Sequence, residues 1–138
     1  MNHLNDLLIE LYKRKDISQL SLSDKQREAF LLLMDSDTKE LIYGGAAGGG
    51  KTWLGCTWII FNCLAFPGTK WFIGRKQLID LSGSVLISIN KLCKFYGFDL
   101  PQFNGKHNFF RFENGSQIDF KECRYRPEDR FYERLGSI

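Results

Sequence analysis

The sequence predicts an α/β fold, a Rossmann-like three-layer arrangement around a mostly parallel sheet, and two local patterns carry that reading. In the first, the short β-prone run Leu41-Ile42-Tyr43 enters a glycine-rich stretch, Gly44 to Gly50. Helix-compatible residues follow from Lys51 to Phe66, and Pro67-Gly68 ends them before a second apolar strand, Trp71-Phe72-Ile73. A strand, a helix and a strand in that order imply parallel strands joined by a crossover. In the second, Phe110-Arg111-Phe112 and Ile118-Asp119-Phe120 alternate apolar and polar on either side of Asn114-Gly115. Asn-Gly between alternating runs is the strongest short hairpin signal, so a β-hairpin is expected near the C-terminus.

The other elements follow in chain order. Leu4, Leu7, Leu8, Leu11 and Tyr12 recur at helical spacing, which makes residues 1–20 an N-terminal helical segment whose helix ends in Lys13-Arg14-Lys15. Ser23-Asp24-Lys25-Gln26 fits a capping box and starts a second helix, with Ala29, Phe30, Leu33 and Met34 as its apolar face. Asp35 to Thr38 reads as a loop. From Leu78 to Tyr96, apolar residues at Leu81, Val85, Ile89, Leu92 and Tyr96 suit a helix that Gly97 closes. After Phe120 the chain becomes charged and loses any clear period.

Composition bounds the possibilities. At 138 residues, 43% of them apolar, the chain is one domain at most and can bury a core. Its longest apolar stretch, Trp58 to Phe66, falls well short of the ~20 residues of a membrane helix. No basic segment and apolar core mark the N-terminus for secretion, so a soluble, cytoplasmic protein with no membrane partner is expected. Cys56, Cys63, Cys93 and Cys123 are widely spaced, without the C-x-x-C pairs or histidines of a zinc site, and read as buried or incidental thiols. The net charge of +3 hides a basic centre, with eight basic residues against two acidic ones from Lys51 to Arg111. That is a weak signal for an anionic partner.

The chemistry lies in the glycines. Gly45-Ala46-Ala47-Gly48-Gly49-Gly50-Lys51-Thr52 satisfies G-x-x-x-x-G-K-[ST], between an expected strand and an expected helix. In such a P-loop, successive backbone N–H groups curl around a β-phosphate and the helix N-terminus adds partial positive charge. Lys51 reaches the β- and γ-phosphates, and the Thr52 hydroxyl ligates Mg²⁺. The expected ligands are therefore ATP and Mg²⁺, and the expected fold is that of a P-loop NTPase.

Taken with its neighbours, this motif resembles the N-terminal part of a phage terminase large subunit, the ATPase that drives viral DNA into a capsid. The resemblance runs from about Leu20 to the end. It rests on Leu22 to Phe30, Tyr43 to Thr52, Gly74-Arg75-Lys76 and Asn114 to Phe120, in that order and spacing. It implies that Gln26 reads adenine as a helicase-type Q motif does, which would favour ATP over GTP; capping of the helix by the same side chain stands beside that reading. It implies that Arg134 acts as an arginine finger on a neighbouring subunit's γ-phosphate; among Arg124, Arg126 and Arg130, a solvated arginine is the competing reading. Arg75 follows the second strand, where it would touch phosphate or DNA, or form a surface salt bridge. The partners so implied are double-stranded viral DNA, a portal protein, a small terminase subunit and further copies of the chain in a homo-oligomeric ring.

The chain also departs from the family. Hydrolysis in this class uses an apolar strand ending in Asp-Glu, and no Asp-Glu dipeptide occurs here. The clustered acids of a nuclease domain are missing as well. Residues 21–138 are thus expected to be the N-terminal part of a P-loop ATPase domain, incomplete and truncated before the Walker B strand. Two alternatives remain at this point: a fragment of a helicase-like translocase, and a nucleotide-binding module that does not hydrolyse. A small GTPase is disfavoured, because Asn90-Lys91-Leu92-Cys93 lacks the acid of a guanine-reading segment, whereas a small-molecule kinase stays open.

Overall fold

A computed structural model describes residues 2–43, 50–75 and 85–122. Four helices and three strands are described, and the sequence explains several of their boundaries. Helix α1 spans Asn2–Tyr12 and buries Leu7 and Leu11. Helix α2 spans Asp24–Met34 and begins with the expected capping box. The Ser23 hydroxyl accepts from the Gln26 N–H at 3.2 Å, and the Gln26 side chain accepts from the Ser23 N–H at 2.8 Å. Helix α3, Lys51–Ala65, runs through Gly55 without a break and stops at Pro67-Gly68. Strand β1 is Lys70–Arg75 and helix α4 is Leu86–Tyr96. Gly97 ends α4 in the left-handed region at φ 77°, with the Phe98 N–H bonded to the Cys93 carbonyl at 2.8 Å. Glycine has no Cβ to oppose that conformation, and the bond satisfies a carbonyl the helix would leave orphaned.

The hairpin lies where Asn114-Gly115 places it. Strands β2, Phe109–Arg111, and β3, Gln117–Glu122, pair antiparallel with Phe110 opposite Ile118. The Gly115 N–H donates to the Phe112 carbonyl at 3.0 Å, and Gly115 itself has φ 89°. This is a three-residue loop closed by a left-handed glycine. The turn also docks on the end of α3, where Asn114 Nδ2 donates to the Cys63 carbonyl at 2.8 Å and Ser116 Oγ to the Phe66 carbonyl at 2.8 Å. Carbonyls at a helix C-terminus lack intrahelical partners, and these two side chains supply them.

The sheet corrects the expected architecture in two respects. Its order is β1-β3-β2, with β1 parallel to β3 and β2 antiparallel, so the described sheet is mixed rather than mostly parallel. The parallel pair does have a helix, α4, in the connection between its strands, as parallel neighbours require. Leu41-Ile42-Tyr43 forms no strand, and Ile42 is 87% exposed. An apolar run of three residues is too short to separate a strand from any other partly buried segment, and the glycines after it add no side chain to pack. Instead, Leu41 and Tyr43 pack at the margin of the core beneath α1 and α2.

Among the described residues, α3 packs on both of its sides. One side of α3, with Cys56, Ile59, Ile60 and Cys63, packs with Ile89 and Leu92 of α4 against Phe110, Ile118 and Phe120 of the sheet. Its other side, with Leu54 and Phe61, packs against Leu7 and Leu11 of α1 and Ala29 and Phe30 of α2. Among the described residues the sheet is therefore an outer layer, and Phe72 on its far face is 47% exposed. No described helix is long and apolar enough to cross a membrane.

One buried group is at odds with its surroundings. The Tyr12 hydroxyl has no hydrogen-bond partner among the described residues, and burial pushes its ionisation up, with the Cys63 thiol adding to the shift. Its ring is well placed, edge-on to Phe66 at 5.2 Å. Tyr12→Phe keeps the ring and removes the unsatisfied oxygen, so it is expected to stabilise the fold by about 1 kcal/mol. Urea denaturation checks this, and a lower midpoint for the phenylalanine variant would contradict it.

Candidate functional site

The described part of the glycine motif is its exit. Gly50 stands immediately before α3 with φ 80° and ψ 15°, a left-handed conformation that suits glycine. Its carbonyl accepts the first bond of the helix, from the Leu54 N–H at 3.0 Å. Lys51 and Thr52 then form the first turn, so the lysine and hydroxyl of the motif sit at the positive end of a 15-residue helix. Among the described residues no side-chain cap is seen at that end, and no acid lies in its first turn. A lysine there and no carboxylate is the reverse of the pattern a helix dipole favours, and it is the pattern an anionic ligand would reward. Gly45, Ala46, Ala47, Gly48 and Gly49 lie outside the described residues, as do Arg134 and the side chain of Arg75.

Gln26 is placed beside this exit. It is 8% exposed, and its Nε2 donates to the Gly50 carbonyl at 3.0 Å while its Oε1 holds the Ser23 N–H. The capping reading is thus realised, and a second bond is added that spacing alone does not reveal. Beyond these two bonds the amide keeps one N–H and one carbonyl lone pair.

A cleft of about 450 Å³ opens between the start of α3 and β1, with Lys51 and Thr52 contributing to walls that are otherwise mainly apolar, among them Trp58, Ile59, Trp71 and Ile73. Such walls offer phosphate oxygens nothing, so any triphosphate would be met by Lys51, Thr52 and the helix terminus at the margin of the cleft. Among the described residues no group of three or more His, Cys, Asp or Glu could hold a metal ion.

Cys56, Cys63 and Cys93 are buried free thiols, and Cys123 lies outside the described residues. Burial pushes Cys56 up to about 12, with Cys93 adding to the shift, Cys63 up to about 12 and Cys93 up to about 11. All three are protonated at neutral pH and pack in the core as small apolar groups, as their spacing suggested.

Sequence reasoning missed the contacts that hold the loop's surroundings. Trp53 Nε1 donates to the Ser21 carbonyl at 2.9 Å, the Ser21 N–H donates to the Tyr96 hydroxyl at 2.8 Å, and Lys25 Nζ lies 5.2 Å from the centre of the Tyr43 ring. Each joins residues distant in sequence through one side chain, a relation that periodicity does not encode. Comparison with family models, curated proteins and solved structures gives no match.

Proposed function

We propose that this chain is the nucleotide-binding part of a P-loop NTPase, and that it holds the triphosphate of ATP with Mg²⁺. The observation that carries the reading is the complete G-x-x-x-x-G-K-T motif, with Gly50 left-handed at its exit and Lys51-Thr52 opening a 15-residue helix. In this reading the backbone from Gly45 to Gly50 surrounds the β-phosphate, Lys51 brings positive charge to the β- and γ-phosphates, and Thr52 ligates the metal. The resemblance to terminase large subunits supports a wider role in a motor that packages double-stranded viral DNA. Portal protein, small terminase subunit and a ring of further copies would be its partners, with Arg134 offered to a neighbour's nucleotide.

A second reading, a module that binds nucleotide without hydrolysing it, is favoured by one observation: the chain has no Asp-Glu dipeptide to hold Mg²⁺ and orient water. Both readings predict that the 138-residue chain binds Mg²⁺-ATP with turnover near background. Calorimetry and phosphate release measured on the same preparation test this. Rapid turnover would show that an acid other than an Asp-Glu pair orients the water.

A further inference from the structure

The first turn of α2 touches both flanks of the glycine segment. Ahead of it, Lys25 stands over the Tyr43 ring. Behind it, Gln26 Nε2 donates to the Gly50 carbonyl, the same oxygen that accepts the first helical bond of α3 from the Leu54 N–H. A Cβ added to Gly50 would overlap Gln26 Nε2, so the amide is seated directly on this piece of backbone. Both ends of the amide are committed, Oε1 to Ser23 and Nε2 to Gly50, and the side chain is almost wholly buried.

We propose that Gln26 is a positioning residue for the glycine loop. Through the Gly50 carbonyl it holds the left-handed turn that launches α3, and so fixes the direction in which Lys51 and Thr52 leave the loop. It does this without contact to base or phosphate. The inference rests on reading Gly45 to Thr52 as a phosphate-binding loop, and it gives Gln26 a different task from base recognition: its donor and its acceptor each hold backbone of this chain. The same side chain starts α2 and steadies the start of α3, so movement of one helix end is transmitted to the other.

Two substitutions separate the tasks. Gln26→Glu keeps an acceptor for the Ser23 N–H, and with it the capping box, but has no donor for Gly50. Gln26→Leu is neutral and loses both. In the ligand-free full chain, amide exchange at Leu54 is expected to rise about fivefold in both variants, the factor that one ordinary hydrogen bond contributes. Exchange at Arg27, whose N–H bonds the Ser23 carbonyl at 2.8 Å, is expected to rise in the leucine variant alone. An unchanged Leu54 rate in Gln26→Glu would overturn the proposal.

Titration with inorganic tripolyphosphate and with ATP gives a second readout. Gln26→Leu is expected to weaken both ligands by the same factor, again about fivefold. Weakening confined to ATP would assign Gln26 to the base and overturn the proposal, and so would undiminished affinity for both ligands. If the wild-type chain binds neither ligand, the phosphate-loop reading fails, while the exchange rate at Leu54 still decides whether Gln26 holds the turn.

Discussion

Lys51→Ala is expected to weaken Mg²⁺-ATP binding by roughly ten- to a hundredfold, the range that corresponds to losing charge-assisted hydrogen bonds of about 1.5–3 kcal/mol. Within Gly45 to Thr52 it is the one side chain able to carry positive charge. The neighbouring contributions, backbone N–H groups and the helix terminus, are partial charges that do not reach as far as a four-carbon stem. The effect should fall on the phosphates, so affinity for tripolyphosphate should drop by a similar factor and the choice of base should not change. The fold should be spared, because Lys51 is exposed at the end of α3 and contributes nothing to either apolar cluster. Isothermal titration of both chains, with circular dichroism as a control on folding, checks this. Equal affinities would remove Lys51 from the mechanism.

The largest effect on stability is expected at Phe61. Its side chain is fully buried in the face of α3 that meets α1 and α2, edge-on to Tyr96 at 5.1 Å and to Phe98 at 5.4 Å. It thereby joins the central helix to the end of α4 as well as to the N-terminal helices. Phe61→Ala removes a whole ring from a site with packed neighbours on several sides, at a cost of about 3–5 kcal/mol. Small domains are stable by about 5–15 kcal/mol, so a large part of the total would go. Urea denaturation should show a much lower midpoint with a similar slope. A loss under about 1 kcal/mol would mean that Phe61 is not packed against α1, α2 and the end of α4 as described.

Much of this structure is legible in local sequence, and the failures share a cause. Ser23 and Gln26 announce the start of α2, Pro67-Gly68 the end of α3, Gly97 the end of α4 and Asn114-Gly115 the hairpin, because each feature is decided within a few residues by capping or by backbone conformation. Leu41-Ile42-Tyr43 fails as a strand because a strand exists only with a partner ladder, and three apolar residues do not specify one. Which side of α3 meets the sheet is hidden for a similar reason. That α3 buries both sides shows in its nearly continuous apolar run, yet nothing in that run says which side meets the sheet. At the site, Lys51 and Thr52 are found from the motif alone, whereas the bond from Gln26 to Gly50 spans 24 positions and depends on how α2 packs against α3. Gln26 itself was visible as a capping residue, but its second bond was not.

The central claim is that Gly45 to Thr52 form a site for a nucleotide triphosphate, and its most direct test is a calorimetric titration of the wild-type chain with Mg²⁺-ATP. The account predicts saturable binding at one site per chain, weakened when Mg²⁺ is withheld and displaced by inorganic tripolyphosphate. A chain whose α3 amides are protected from exchange, yet which shows no binding heat at millimolar ligand, would contradict it.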